Sequence, residues 1–129
     1  MHYYCTTCCK DKRENKELLP AVDRYQSPRI EHVYNESKTL GIPFLILSGK
    51  YGLIPPDFMM PWYDLKLEME AVDALIPKLK SQLKEHDVTS ITFFGKGKSF
   101  EDWKPYYSAI TRACEEMNVE VEYRGVEIE

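Results

Sequence analysis

Two short apolar runs constrain the fold of this chain more than any other feature. Residues 43–48 (PFLILS) are apolar without alternation, and residues 88–94 (VTSITFF) form a second run rich in β-branched and aromatic residues. A strand without polar alternation is typical of a sheet that is covered on both faces. The two runs therefore predict central strands of an α/β domain.

The segments around these runs predict the rest of the architecture. Ser27 and Pro28 are typical of a helix N-cap and first turn, Gly41 of a helix end, and Pro77 of a kink or a new turn. We expect a single three-layer α/β domain over residues 1–129, with a mostly parallel sheet of about four strands and helices on both faces. The other elements are predicted as strands at residues 3–6 and 119–123, and as helices at residues 20–40 (a short one, then a longer one), 65–85 and 101–117.

Size and hydropathy exclude several classes of protein. The chain has 129 residues, 43% of them hydrophobic, which suits one core rather than two. No apolar run approaches the roughly 18–20 residues of a membrane-spanning helix. The start, MHYYCTTCC, lacks the features of a signal peptide. We expect a cytoplasmic protein without a membrane partner.

The charges are distributed unevenly over the predicted elements. The net charge is −4, and the acids lie largely in helices and in the tail. Lysines follow the predicted strands instead, and ligands of parallel sheets bind at the carboxyl ends of the strands. This basic rim suits a phosphate-bearing ligand, although lysines also populate solvated loops. The basic residues concerned are Lys10, Lys12, Arg13, Lys16, Lys50, Lys96 and Lys98.

The cysteines cluster near the start of the chain. Cys5, Cys8 and Cys9 lie close to His2, but no second Cys or His pair completes a zinc site, so we predict neither a metal nor a cofactor. Cys5 is expected to be a small buried side chain at a strand end. Lysines near Cys8 or Cys9 favour the thiolate, so a reactive thiol is a second interpretation, but no histidine neighbours it in sequence as a base.

A glycine- and lysine-rich turn follows the second apolar run. The turn, GKGKS, lies at residues 95–99, but Thr92 stands where the nucleotide-binding P-loop requires glycine. Gly95 and Lys98 could still contact one phosphate through a backbone N–H and an ammonium group. The alternative is a flexible strand-to-helix turn.

The segment at residues 48–64 (SGKYGLIPPDFMMPWYD) is the most unusual part of the chain. Its glycines and prolines exclude a regular element, yet it is too apolar for an ordinary surface loop. The side chains expected to cap the core are Leu53, Phe58, Met59 and Trp62. The side chains that a core does not favour, and that we interpret as functional, are Tyr51, Asp57, Tyr63 and Asp64.

Two separated motifs resemble a known family. The first comprises Ser48, Gly49, Tyr51, Gly52, Pro56, Asp57, Pro61, Tyr63 and Asp64; the second comprises Cys8, Lys12, Pro20, Ala21, Tyr25 and Ser27. Together they resemble small bacterial and phage domains related to the YaaA-type peroxide-stress proteins. The chain departs from the pattern at Trp62, which is inserted, at Gly49, which replaces alanine, and after the third strand, where only Gly95 and Phe100 stand.

The resemblance implies a link to nucleobases. YaaA-type proteins are associated with oxidative stress and DNA binding. The loop from Cys8 to Lys12 is also similar to one in archaeosine synthase, and the fold is similar to uracil-DNA-glycosylase-like domains. The implied partner is a nucleobase, a nucleotide or a nucleic acid.

The first functional hypothesis is an enzyme that acts on a nucleobase, nucleoside or nucleotide by glycosidic-bond or base-modification chemistry. The predicted catalytic residues are Lys12, Asp57 and Asp64, and the base is expected to stack on Tyr51 or Tyr63. The predicted ligand-binding residues are Cys8, Ser27, Ser48, Lys50, Tyr51, Gly52, Tyr63, Gly95 and Lys98. The alternatives are a non-catalytic DNA- or RNA-binding stress or phage protein and a protein-interaction module.

Overall fold

A five-stranded sheet forms the centre of the computed structural model, which describes residues 1–97 and 100–126. In chain order the elements are β1 (His2–Thr7), β2 (Leu19–Pro20), α1 (Ala21–Arg24), α2 (Pro28–Leu40), β3 (Phe44–Ser48), β4 (Gly52–Ile54), β5 (Met59–Met60), α3 (Met69–Glu85), β6 (Ser90–Gly95), a 3₁₀ turn (Glu101–Trp103), α4 (Lys104–Glu116) and β7 (Glu120–Gly125).

The strands of the large sheet lie in the order β4-β3-β1-β6-β7. β1 pairs in parallel with both β3 and β6, β6 pairs in parallel with β7, and only β4 is antiparallel to its neighbour. The register at the centre aligns Cys5 with Leu45 on one side and with Phe93 on the other. The predicted α/β domain with a mostly parallel sheet is confirmed, but the prediction of about four strands is wrong, since the sheet has five.

The additional strand comes from the segment for which we predicted no regular element. Gly52 has φ 76°, so the chain reverses directly after β3, and Leu53 and Ile54 then pair with Leu47 and Ile46. Met59 and Met60 form a second short pairing with β2. The prediction failed because the reversal depends on a left-handed glycine, which in sequence is indistinguishable from any loop glycine.

The helix boundaries follow local signals in one case and tertiary contacts in another. Ser27 Oγ accepts the Ile30 N–H at 3.2 Å and Gly41 has φ 70°, so α2 begins and ends as predicted. α3 begins at Met69 rather than at residue 65 and continues through Pro77. Leu67 is only 1% exposed, so its side chain anchors the irregular segment before α3 to the core.

The parallel strands, covered by the helices, end at one edge of the domain. α3 and α4 pack against each other, α2 packs against β1, and α3 also contacts β4. Because β1, β3, β6 and β7 are parallel, the segments that follow them gather at the same edge. No helix formed by the described residues has the length and apolar character needed to cross a bilayer.

Candidate functional site

A cleft of about 560 Å³ lies at the carboxyl edge of the sheet. The segments that enclose it are the loop after β1, the start of α2, residues 64–66, and Lys96 together with residues 100–106. The lining residues are Thr7, Cys8, Cys9, Lys10, Asp11, Lys12, Gln26, Ser27, Pro28, Arg29, Asp64, Leu65, Lys66, Lys96, Phe100, Asp102, Trp103 and Tyr106.

The topology of the sheet explains the position of the cleft. From β1 the chain passes through α2 to β3 on one side, and it returns through α3 to β6 on the other side. The connections after β1 and β6 therefore diverge, which leaves a crevice between the ends of these two strands. Ligands of open parallel sheets bind at such a switch point.

Arg24 holds the loop after β1 in place. This loop, residues 10–18, is called the lysine loop here. The Arg24 side chain is fully buried and donates hydrogen bonds to four carbonyl oxygens, those of Arg13 (2.5 Å), Asn15 (3.0 Å), Glu17 (2.5 Å) and Met60 (3.2 Å). The carbonyl groups of this irregular loop thus obtain from the Arg24 side chain the hydrogen-bond donors that the loop itself does not provide.

Lys12 turns inward from the lysine loop. Its backbone bridges to Tyr25, and its side chain is only 9% exposed. Nζ lies 4.5 Å from the centroid of the Tyr63 ring and 5.7 Å from that of Tyr25, and its hydrogen bond to the Lys10 carbonyl is 3.4 Å long. Over residues 1–97 and 100–126, no carboxylate forms an ion pair with Lys12. The cleft therefore contains a largely buried ammonium group without an anionic partner in the described chain.

Arg29, in the first turn of α2, was missed by the sequence analysis. It is buried, and its Nη1 donates to Thr6 Oγ1 (2.6 Å) and to the Thr7 carbonyl (2.9 Å), while Nη2 donates to the Cys8 carbonyl (3.4 Å). The guanidinium lies 4.8 Å from the ring centroid of Trp103. The sequence could have indicated this residue, because a positive charge near a helix N-terminus interacts unfavourably with the helix dipole. An arginine at that position is therefore expected to have a separate structural or functional role.

A cluster of hydroxyl groups lies behind Lys12. The Tyr25 and Tyr63 hydroxyls are 2.5 Å apart, and Ser48 Oγ lies 3.0 Å from that of Tyr63. Burial raises the pKa of both phenols well above the usual range, and the neighbouring Cys8 thiol adds to this effect. Both tyrosines are therefore protonated at neutral pH, and they support Lys12 rather than act as bases.

Lys50 approaches the Tyr63 ring from the loop after β3. Its Nζ lies 5.5 Å from the Tyr51 ring centroid and 5.7 Å from that of Tyr63, and the rings of Tyr51 and Tyr63 are 5.4 Å apart. The structure thus brings Lys12 and Lys50 to one aromatic ring. Lys50, Tyr51, Ser48 and Tyr63 do not line the cleft itself.

The two predicted ligand-binding glycines face protein side chains. A Cβ atom on Gly52 would lie 2.2 Å from Gln82 Oε1, and one on Gly95 would lie 2.4 Å from Trp103 Cζ3. Neither glycine lines the cleft. Their visible role is to admit these side chains, which for Gly95 means the Trp103 ring that forms part of the cleft wall.

The two predicted acids differ in position. Asp64 is exposed and lines the cleft, whereas Asp57 is exposed and does not line it. Ser27 lines the cleft as the N-cap of α2. Lys98, which we predicted as a phosphate contact, lies outside the described residues.

The cysteines correct one expectation. Cys8 lines the cleft, is buried, and donates its S–H to the Tyr106 hydroxyl at 3.5 Å. Burial raises the pKa of Cys9 to about 11, and the nearby cations Arg29 and Lys12 lower it by less. The interpretation of Cys9 as a thiolate activated by lysines is therefore wrong, since desolvation outweighs the attraction of the cations.

The remaining cleft residues come from positions that the sequence analysis assigned to a helix or left aside. Phe100 is 47% exposed, while Trp103 and Tyr106 are buried. Burial also raises the pKa of the Tyr106 phenol, and its hydroxyl accepts the Leu67 N–H at 3.3 Å. Within the described chain, no three His, Cys, Asp or Glu side chains are grouped so as to hold a metal ion.

Comparisons with known proteins add no relative. No protein-family model matches the chain, and neither a curated protein nor a solved structure matches it. The residues of the cleft are therefore the basis for assigning a function.

Proposed function

We propose that the cleft binds a nucleobase-containing ligand and acts on its glycosidic bond or its base. One observation carries this proposal: a buried cation, the first turn of α2 and an exposed aromatic ring line a single crevice at the switch point of the sheet. Such a crevice offers charge for a phosphate and a flat apolar face for a base.

The aromatic face is provided by Phe100 rather than by the tyrosines of residues 48–64. Tyr63 is 4% exposed, so neither face of its ring is free for a base. Phe100 is 47% exposed and lines the cleft, with Lys96 Nζ 6.0 Å from its ring centroid. A base that stacks on Phe100 would bury apolar surface on both partners.

Asp64 is the one of the two predicted catalytic carboxylates that lines the cleft. It has no ion pair among the described residues, whereas Asp102 on the same cleft is bound to Lys66 at 2.8 Å, and Asp11, the third acid of the cleft, was not among the predicted acids. A carboxylate at this position can transfer a proton or stabilise a cationic sugar in the transition state. Asp57, outside the cleft, is the natural control.

Two broader expectations accompany this proposal. Right-handed crossovers would place α2 on one face of the sheet and α3 with α4 on the other, as in a three-layer domain. The resemblance to the YaaA-related small domains supports a nucleobase ligand, because the motif residues Cys8, Lys12 and Ser27 line the cleft and Tyr25 packs beneath Lys12.

The proposal is tested by ligand binding followed by turnover. A thermal-shift panel of nucleobases, nucleosides, nucleotides and short oligonucleotides should contain at least one compound that raises the melting temperature. Chromatography should then detect a released or modified base. Asp64→Asn should abolish turnover but retain binding, and Asp57→Asn should behave like the unmodified protein.

Other outcomes would overturn the proposal. Turnover that survives in Asp64→Asn, or that Asp57→Asn abolishes instead, removes the assigned chemistry. Oligonucleotide binding that falls steeply with salt and does not depend on Asp64 identifies a nucleic-acid-binding protein. No response to the whole panel favours a protein-interaction module.

A further inference from the structure

We propose that the ligand is a mononucleotide with a terminal phosphate, and that Lys12 and the first turn of α2 form its phosphate subsite. This inference rests on the proposed function and specifies its substrate class. It depends on three observations: the Lys12 ammonium has few hydrogen-bond partners, it lies deep in the cleft, and the cleft is more basic than the rest of the molecule.

The Lys12 ammonium lacks the partners that a buried cation needs. It is 9% exposed, and its one hydrogen bond, 3.4 Å to the Lys10 carbonyl, exceeds the usual N–H···O range of about 2.7–3.2 Å. The rings of Tyr25 and Tyr63 offset part of the desolvation, but two of its three N–H groups have no described acceptor. A buried charge is costly unless an anion accompanies it.

The cleft places other anion-binding groups beside this ammonium. Ser27, Pro28 and Arg29, the cap and first two residues of the 13-residue helix α2, line the cleft together with Lys12. The positive end of the helix dipole therefore points towards the same space. Arg29 orders the carbonyls of Thr7 and Cys8, which keeps the loop that precedes Lys12 in position.

Depth favours a phosphate at the end of a ligand. Lys12 and Arg29 are 9% and 4% exposed, so an anion reaches them only by entering the cleft. A phosphate within a polynucleotide would need room for the strand to leave on both sides. The terminal phosphate of a mononucleotide needs one entrance, and a cleft of about 560 Å³ can hold such a ligand.

The distribution of charge disfavours a long polyanion. Among the described residues, five basic and three acidic side chains line the cleft, so its excess charge is positive, whereas acidic residues outnumber basic ones in the rest of the described chain. The acids in the cleft are Asp11, Asp64 and Asp102. A polynucleotide leaving the cleft would cross an acidic surface, whereas a mononucleotide meets only the positive region.

The test compares matched ligands and matched lysines. Calorimetric titration with the four common nucleoside 5′-monophosphates and the corresponding nucleosides should show a preference of about 10- to 100-fold for one or more monophosphates. Lys12→Met should reduce that affinity to the level of the nucleoside and leave nucleoside binding unchanged. Lys38, which lies 4.4 Å from the Tyr34 ring centroid on exposed helix surface, supplies the control, and Lys38→Met should change neither affinity.

The outcomes separate this inference from the proposed function. Equal affinity for nucleosides and monophosphates, or an unchanged monophosphate affinity in a folded Lys12→Met variant, overturns the phosphate subsite but leaves Asp64-dependent turnover intact. Tighter binding of oligonucleotides than of any mononucleotide overturns the mononucleotide assignment. Inorganic phosphate should compete with the monophosphate and not with the nucleoside, and competition with both would also contradict the subsite.

Discussion

The turn after β3 and the lysine loop after β1 lie at the same edge of the sheet but differ in how their polar groups are satisfied. In the turn, Ser48 Oγ accepts the N–H groups of Lys50 (3.2 Å) and Tyr51 (3.1 Å). The Gln82 side chain accepts the Leu53 N–H (2.7 Å) and donates to the Tyr51 carbonyl (2.9 Å). Ser48 within the turn and Gln82 from α3 together satisfy these polar groups, so none of them awaits a ligand.

In the lysine loop only some of the polar groups have good hydrogen-bond partners. Its carbonyls are bound by Arg24, but the Lys12 ammonium has a single long hydrogen bond. The comparison shows that the glycines and tyrosines of residues 48–64 can serve to fold a turn. A buried ammonium group with too few hydrogen-bond acceptors is the better indication of a ligand site.

The largest expected effect comes from removing the cation that completes the lysine loop. Arg24→Met leaves the buried carbonyls of the loop without donors and should lower the free energy of unfolding by about 3–5 kcal/mol in urea denaturation. Arg112→Met is the control: Arg112 forms an exposed ion pair with Asp73 at 2.8 Å, and its loss should cost less than about 1 kcal/mol. Similar losses for the two variants would show that the loop does not depend on Arg24.

A substitution at Gly52, in the turn after β3, should lower the free energy of unfolding by nearly as much. Gly52→Ala combines a φ of 76° with a Cβ atom 2.2 Å from Gln82 Oε1, and should destabilise the fold by about 2–4 kcal/mol. Gly41→Ala has φ 70° with open space around the Cβ atom and isolates the backbone strain, about 1–2 kcal/mol. If the two variants unfold at the same urea concentration, the contact between the new Cβ atom and Gln82 does not contribute to the loss of stability.

An intermediate effect is expected from alkaline pH. The pKa of Cys9 is raised by burial from 9.0 to about 11, so the folded state holds its proton more tightly than the unfolded state. Its contribution is complete below about pH 9 and is lost as the pH rises towards 11, by about 2 kcal/mol at pH 11. Urea denaturation of the unmodified protein and of Cys9→Ser at both ends of this range measures the difference, and equal losses in both proteins would refute the assignment.

The smallest effect, with the opposite sign, should come from Lys12. Without ligand, Lys12→Met removes a buried charge and only the long hydrogen bond to the carbonyl of Lys10, an exposed residue, and should raise the free energy of unfolding by up to about 1 kcal/mol. The same replacement at Arg24 is expected to be destabilising, so the two variants directly compare a cation that binds four carbonyls with one that has a single long hydrogen bond. A loss of stability like that of Arg24→Met would make Lys12 a structural residue.

Much of the fold could be predicted from local signals. The cap at Ser27, the helix end at Gly41 and the apolar runs of β3 and β6 each depend on a few neighbouring residues. β4 could not be predicted, because its pairing depends on a turn completed by Gln82 from a distant helix.

The candidate site also contains residues that could be predicted from the sequence and residues that could not. Cys8, Lys12, Ser27 and Asp64 were predicted from the two motifs of the resemblance, and Lys12 also from the basic rim, and all four line the cleft. Asp57 came from the same reasoning and lies elsewhere, since the chain reverses after β3 and runs along β4 before it reaches Asp57. Arg29, Trp103 and Tyr106 belong to the helical stretches, where sequence cannot tell a cleft wall from a core face.

By itself the sequence determined that this chain forms a mostly parallel α/β sheet with half of its lysines in the segments that follow the strands, because strand patterns and helix caps are local. The tertiary structure decided which of those lysines is buried and which acid shares its cleft. Burial and ion pairing depend on side chains that are distant in sequence, such as Lys12 and Tyr63, and only the folded chain brings these together.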